Sequence, residues 1–203
     1  MKINLLKQYP KAKRDLKKRS FNKSSKIKRV AQKFGKDYFD GSRDYGYGGF
    51  NYHKKFWGKV VKDFKKKYKL NEKSKILDIG CAKGFMIYDL KKILPKSKII
   101  GIDVSRYAIK NCKKEVKKFL FLGNAKKLRF KDNYFDLVIS INTLHNLNKK
   151  DCAKSLKEIN RVTKKKAFIT VDAYKNKSEK KKNVRLELNR KNNNAWKRLD
   201  KIF

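Results

Sequence analysis

The sequence is poor in cysteine, histidine, proline and acidic residues, and these shortages exclude several classes of protein. Three cysteines (Cys81, Cys112 and Cys152) and two histidines are too few and too scattered for a disulfide framework or a metal site. No apolar run approaches the roughly 18 residues that a membrane span needs, and the N-terminus lacks the apolar stretch of a signal peptide. We therefore expect a reduced, cytoplasmic protein that holds no metal.

The shortage of acidic residues leaves a large positive charge. Lys and Arg total 59 against 18 Asp and Glu, a formal net charge of +41. Lys outnumbers Arg by 49 to 10 and is accompanied by 17 Asn, a bias that an AT-rich genome produces without selection for function. Charge of this kind predicts non-specific, salt-sensitive binding of polyanions or nucleic acid through the Lys-rich arm at the N-terminus.

The composition also indicates one folded domain with basic extensions. At 203 residues, with 39% hydrophobic and 12% aromatic residues, the chain can bury a sizeable core. We divide it into a basic N-terminal arm (1–36) that is mobile or helical, a Gly/Tyr lid segment with a helix (37–70), an α/β core (71–174) and a basic tail (175–203) for which a helix is one alternative.

Strand and helix patterns alternate within the core. Buried strands are predicted at 75–79, 98–103, 119–122, 135–141 and 166–173, and helices at 85–94, 105–118 and 151–163. Strands that alternate with helices of this length predict a doubly wound, mainly parallel α/β sheet.

The segment before the core has a different composition. Residues 35–53 contain five Gly and six Tyr or Phe, so we expect an ordered loop or lid and no regular helix. An apolar stripe over 54–69 predicts one amphipathic helix.

The strongest functional signal is the motif ILDIGCAKG (76–84) combined with GID (101–103). Small residues in the turn after the first strand let a ligand approach the backbone, and Asp103 stands where a carboxylate accepts hydrogen bonds from both ribose hydroxyls. Dinucleotide enzymes use G-x-G-x-x-G here, and Asp78 would repel a pyrophosphate. Because Asp78 suits an ammonium group, the motif favours S-adenosylmethionine as the ligand.

On these motifs, residues 75–173 resemble a class I, Rossmann-like S-adenosylmethionine-dependent methyltransferase. The segment GNAKKLRFKDNYFDLVISINTLHNL (123–147) is similar to the third and fourth strand region of that family. The resemblance implies that Asp78 reaches the methionine amine and that Asp103 holds the ribose. It further implies cofactor contacts from residues on the turns, namely Gly80, Ala82 and Gly84 on methionine and ribose, Val104, Asn124 and Ala125 on adenine, and Asn142 beside the sulfonium.

Two of these positions depart from the family pattern. Ala82 replaces the usual glycine, and Asn124 replaces the commoner aspartate, whose role the Asn124 side-chain carbonyl could take over.

The lid sequence YFDGSRDYGYGGFNY (38–52) resembles a stretch that precedes the core in a subgroup of bacterial methyltransferases, except that His53 and Lys54 follow where that subgroup has an acid and a glycine. This resemblance implies that Tyr45, Tyr47 and Phe50 cover the cofactor and shape the acceptor pocket.

Catalysis of methyl transfer requires alignment of the reactants, and a base only when the acceptor is a hydroxyl. His145, just past the fourth strand, is the candidate base, with Asp172 as the other credible group. The structural alternatives are a His145 hydrogen-bonded to a neighbouring loop and an Asp172 that caps a strand.

Three functions are consistent with the sequence. The first is methyl transfer to a small-molecule or saccharide-like acceptor, and the second is methylation of RNA or another nucleic acid. A complete family core has seven strands and only five are readable, so the third is a C-terminally truncated, non-catalytic remnant that binds cofactor or polyanions.

Overall fold

The computed structural model describes residues 5–10, 24–170, 173–174 and 191–192. Its centre is a parallel five-stranded sheet with the order β3-β2-β1-β4-β5, which confirms the doubly wound α/β fold. A separate parallel pair joins β6 to β7. The strands are β1 Lys75–Ile79, β2 Lys98–Asp103, β3 Leu120–Leu122, β4 Phe135–Ile141, β5 Thr163–Thr170, β6 Ala173–Tyr174 and β7 Lys191–Asn192.

Seven α-helices and two 3-10 helices are found in the described part of the chain. The α-helices are α1 Ser25–Gln32, α2 Lys36–Asp40, α3 Lys54–Trp57, α4 Val60–Tyr68, α5 Phe85–Ile93, α6 Arg106–Lys110 and α7 Lys149–Val162, and the 3-10 helices are Lys114–Phe119 and Leu144–Asn146. None of these helices has the length and apolar character needed to cross a membrane.

The two faces of the sheet bury separate hydrophobic clusters. Ile76 of β1 packs with Phe64 of α4 and Leu90 of α5, whereas the next residue, Leu77, packs with Leu156 of α7 on the other face. Successive strand residues point to opposite faces, so the continuous apolar runs of β1 and β4 are buried on both sides. The result is a three-layer core.

Two predictions about the segment before the core were wrong. Residues 35–53 contain the short helix α2, which begins after Gly35 and ends before Gly41. The predicted helix over 54–69 is two helices, because α3 ends at the cap residue Gly58 and α4 begins at Val60.

The predicted helix over 105–118 is also shorter than expected. Ser105 caps α6 as predicted, by accepting a hydrogen bond from the Ala108 N–H. The helix ends at Lys110 because the Asn111 side chain donates a 2.8 Å hydrogen bond to the Tyr107 carbonyl, and a 3-10 helix follows.

The fifth strand was placed too late, since β5 begins at Thr163 and ends at Thr170. The Thr163 hydroxyl donates to the Ile159 carbonyl and ends α7 at this point. The tail apart from Lys191–Asn192, the candidate base Asp172, and residues 1–4 and 11–23 of the Lys-rich arm lie outside the described residues.

The strand order predicts a ligand site at the carboxyl edge of the sheet. The chain leaves β1 toward β2 on one side, and β4 lies on the other side of β1. A crevice opens where the connections diverge in this way, and ligands of open α/β sheets bind there.

Candidate functional site

The turn after β1 is held against the end of β2. The N–H groups of Gly80 and Cys81 both donate to the Ile102 carbonyl, at 2.8 Å and 3.1 Å. Gly80 has a φ of 81°, and a Cβ at this position would lie 2.0 Å from the Thr143 hydroxyl oxygen. Glycine is therefore required at position 80 both for its backbone conformation and for the close approach of the β4 loop.

Residues 82 and 84 of the same turn are also left-handed. Gly84 has a φ of 75° and Ala82 a φ of 48°. A left-handed alanine costs about 1 kcal/mol, which gives a physical reason for the glycine that the family commonly has at the position of Ala82.

Asp103, at the end of β2, connects the turn to the next helix. Its Oδ2 accepts a 2.8 Å hydrogen bond from the Ala82 N–H, and its Oδ1 accepts one of 2.8 Å from the Ser105 N–H. Burial raises the pKa of Asp103, while the hydrogen bonds from Ser105, Ala82 and Val104 act in the opposite direction. The carboxylate therefore braces the turn, and it retains acceptor capacity for a ligand hydroxyl.

Asp78 is a buried acid at the same edge. Its residue surface is 5% exposed, and burial together with the negative charge of Asp103 raises its pKa to about 7. Residues 24–170 provide no hydrogen bond to its carboxylate. A cationic ligand group beside Asp78 would supply the missing partner and lower its pKa.

The residues expected to hold adenine lie at the ends of β2 and β3. Val104 is 51% exposed, so its apolar surface is open to a ligand, and Ala125 is buried. The Asn124 side-chain oxygen accepts a 3.0 Å hydrogen bond from the Lys126 N–H. A local turn thus already uses the carbonyl that we expected to face the adenine amine.

The end of β4 returns to the turn after β1. The Thr143 hydroxyl donates to the Ile79 carbonyl at 3.2 Å, and Asn142 has a left-handed φ of 52°. His145 follows in the 3-10 helix and is half-buried. The contact of Thr143 with Ile79 therefore brings Asn142 and His145 to the edge that carries Asp78.

A buried ion pair joins the lid to the turn, and neither of its residues is among those predicted from the sequence. The Lys83 ammonium lies 2.7 Å from both Asp40 oxygens, with the two side chains 7% and 25% exposed. Asp40 also accepts hydrogen bonds from the Tyr107 hydroxyl at 2.6 Å and the Phe50 N–H at 3.1 Å. These bonds hold the pKa of Asp40 below its usual value, although burial acts in the opposite direction.

Aromatic rings complete the lid. Tyr47 and Phe50 have ring centroids 4.2 Å apart, both lie 5.7 Å from Phe39, and Phe50 lies 4.9 Å from Phe85 at the start of α5. Tyr45 takes part in none of the ring pairs of the described residues. The structure therefore brings together two of the three predicted lid residues.

Comparison with known proteins identifies the family. A family model described as a methyltransferase domain matches residues 70–203. The chain belongs to the class I, Rossmann-like S-adenosylmethionine-dependent methyltransferases. This family membership confirms the resemblance inferred from the motifs.

Curated relatives share only part of their length with this chain. Malonyl-[acyl-carrier protein] O-methyltransferase of Bacillus cereus is 32% identical over 101 residues, 48% of this chain and 37% of the relative. The mitochondrial arginine-hydroxylase NDUFAF5 of Mus musculus is 35% identical over 89 residues, 43% of this chain and 25% of the relative. The chain thus spans well under half of either relative, and their named reactions differ, so the family does not identify the acceptor.

A solved structure agrees with the fold. The YcgJ protein of Bacillus subtilis matches with a TM-score of 0.58 and 18% identity, covering 70% of this chain and 66% of that one. This likeness concerns the fold alone. The residues at the carboxyl edge fit the family's cofactor in their chemistry. The turn at 80–84 allows close approach of a ligand, Asp103 is a hydrogen-bond acceptor, and Asp78 is a buried acid without a hydrogen-bond donor among residues 24–170.

Proposed function

We propose that the chain transfers a methyl group from S-adenosylmethionine to a small-molecule acceptor. The observation that carries this proposal is the pairing of Asp78 and Asp103 around one glycine turn at the point where the strand order reverses. One carboxylate is already braced by backbone N–H groups, and the other has no donor among residues 24–170. A ligand with a ribose at one end and an ammonium group at the other suits this pair.

The cofactor supplies a methyl group made electrophilic by its bond to a sulfonium. Asp78 would hold the ammonium group, the backbone of Gly80 to Gly84 would lie against the methionine and ribose, and Asp103 would accept bonds from the ribose hydroxyls. Val104 offers an exposed apolar surface to the adenine ring. Ala125 and Asn124 would border the adenine, and Asn142 would lie near the sulfonium.

The lid would complete the acceptor side. Asp40 and Lys83 fix it directly to the cofactor turn, and the packed rings of Tyr47 and Phe50 can exclude water above the reacting groups. A lid held this closely favours a small acceptor, and its half-buried Tyr45 and Tyr47 are compatible with a saccharide-like one. His145 would take the proton if the acceptor is a hydroxyl.

Calorimetric titration tests the cofactor site. S-adenosylmethionine and its demethylated product should bind at high salt with micromolar affinity. Asp103→Ala should weaken binding by about a hundredfold, because charge-assisted hydrogen bonds are lost. The control is Asp132→Ala, an exposed acid at the amino edge of the sheet, which should bind like the wild type. Absence of binding by the folded wild-type protein would contradict the proposal and favour a non-catalytic polyanion binder.

A transfer assay tests the acceptor class. Tritiated S-adenosylmethionine is incubated with the protein and with separate small-molecule and RNA fractions of a cell extract. Label should enter the small-molecule fraction, and Asp103→Ala should abolish the transfer. Label confined to RNA would favour the nucleic-acid alternative, and cofactor binding without any transfer would favour the remnant.

We also propose a cytoplasmic location, since all three cysteines carry free thiols.

A further inference from the structure

The amino edge of the sheet carries a groove that the proposed cofactor chemistry does not use. This groove has a volume of about 860 Å³ and lies between the loop that leads into β1, the loop that leads into β4 and the start of β5. Its lining includes Lys73, Lys131 and Lys164 from those three regions. Because β4 has seven residues at roughly 3.3 Å each, the groove lies about 20 Å from the carboxyl edge.

The lining is richer in lysine than the chain as a whole. Eight of its 16 residues are lysines, whereas lysine accounts for 49 of the 203 residues of the chain. Lysine makes up a similar share of the exposed residues that the structure describes, so the feature that distinguishes the groove is that its lysines face one concavity. These ammonium groups converge on a concave surface, where their potentials add.

Both acids in the groove are already paired. Asp132 lies 2.6 Å from the Arg161 guanidinium. Asp136 lies 3.2 Å from the Lys165 ammonium and accepts a 3.0 Å hydrogen bond from the Lys75 N–H. Lys73, Lys131 and Lys164 form none of the salt bridges of the described residues, so their charges are available to a ligand.

Tyr134 organises part of this charge. The Lys75 ammonium lies 4.5 Å and the Lys98 ammonium 5.3 Å from the centre of its ring. The pKa of Tyr134 is lowered, first by its hydrogen bond with Lys98 and then by the charges of Lys98, Lys75 and Lys131. The tyrosine therefore experiences a positive local field and holds two of the lysine side chains near the groove.

We propose that this groove binds the phosphate backbone of a nucleic acid. The closely spaced phosphates of a nucleic acid suit a concave surface lined by lysines, and their binding releases counterions. A flat bilayer cannot reach a concave lining, and the lining contains none of the large apolar side chains that are exposed in the described part of the chain, Val104, Phe121 and Leu122. A protein interface needs an apolar centre, but the aliphatic residue of the lining, Leu70, is itself buried.

The test measures binding of a fluorescein-labelled single-stranded RNA by anisotropy between roughly 50 and 200 mM salt. The groove variant combines Lys73→Gln, Lys131→Gln and Lys164→Gln. Its matched control, Lys150→Gln with Lys154→Gln and Lys157→Gln on the exposed side of α7, removes the same charge elsewhere. We expect about a tenfold loss of affinity and a smaller salt slope for the groove variant, and less than a twofold loss for the control.

Two further measurements make the outcome decisive. A third variant with Lys→Arg at the three groove positions should bind RNA like the wild type, and circular dichroism should give all variants the wild-type melting curve. Equal losses in the groove variant and the control would overturn the proposal, because diffuse charge would then explain the binding. Saturable binding of phosphatidylserine vesicles or polyglutamate, with no binding of RNA, would also overturn it.

Discussion

The two edges of the sheet differ in how deeply their charged side chains are buried. At the carboxyl edge, Asp78, Asp103 and Lys83 are buried or nearly buried among glycines and aromatic rings. At the amino edge, Lys73 and Lys131 are exposed around an open groove. The strands are the same in both cases, so the loops at their ends determine the chemistry.

This difference indicates what each edge can recognise. A buried carboxylate pays a desolvation cost that one well-placed partner can offset, so the carboxyl edge suits a ligand of defined shape. Exposed lysines remain solvated and attract any polyanion, with an affinity that salt reduces. Specific cofactor binding and salt-sensitive backbone binding can thus occur on one small domain.

The most severe change should be Gly80→Ala. The new Cβ would lie 2.0 Å from the Thr143 hydroxyl at a φ of 81°, so the turn must move. We expect undetectable titration heats with S-adenosylhomocysteine, while RNA binding at the other edge stays within twofold of the wild type. The control is Gly35→Ala, since a Cβ at Gly35 meets nothing within 4 Å. Normal cofactor binding by Gly80→Ala would refute the close-approach argument.

The next largest effect should come from Asp40→Asn. The Lys83 ammonium would lose its carboxylate while it remains buried. The free energy of unfolding should therefore fall by about 2–3 kcal/mol, measured by urea denaturation, after allowance for the partial exposure of Asp40.

The matched variant for this comparison is Asp132→Asn, which breaks an exposed pair with Arg161 at the amino edge. It should cost less than about 1 kcal/mol. Similar losses for both variants would mean that the two edges do not differ in how they bury charge.

A smaller effect should follow the ionisation of Asp78. Its pKa of about 7 means that the carboxyl is largely protonated below pH 7 in the free protein. If the carboxylate binds an ammonium group, S-adenosylhomocysteine affinity should rise by about tenfold between roughly pH 6 and pH 8. Calorimetry with Asp78→Asn should give weaker binding with little pH dependence, and an equal pH dependence in both proteins would exclude Asp78 as the cause.

The ionisation of Asp78 strengthens ligand binding as the pH rises, but it lowers the stability of the folded protein. Folding raises the pKa of Asp78 from 3.8, so the folded state binds more protons than the unfolded state. The contribution of Asp78 to stability is therefore present below about pH 4 and is lost as the pH rises through 7. Urea denaturation across this range should detect the loss in the wild type and a smaller one in Asp78→Asn.

Sequence patterns predicted those parts of the fold that depend on local residues. The bounds of β1, β2 and β4 agree with their apolar runs, and the glycine turn forms where its small residues lie. The helix after Ser105 was predicted too long because a single Asn111 side chain ends it. The helix propensities of the residues in this segment do not predict a hydrogen bond of this kind.

The residues missed at the candidate site are joined by long-range contacts. Asp40 and Lys83 are 43 residues apart, and Asp40 and Tyr107 are 67 apart, so no spacing rule connects them. A lysine inside a glycine turn was the available signal, because a buried ammonium there requires a carboxylate partner. The roles of all the predicted site residues, Tyr45, His145 and Asn142 among them, remain predictions.

The most direct test of the two-edge account is an amide NMR titration of one labelled sample with two ligands. S-adenosylhomocysteine should shift the amides of residues 80–84 and 103–104 and leave those of 131 and 164–166 unchanged. Single-stranded RNA should do the reverse. If S-adenosylhomocysteine leaves residues 80–84 unshifted, or if both ligands shift the same amides, the division of cofactor and polyanion binding between the two edges is wrong.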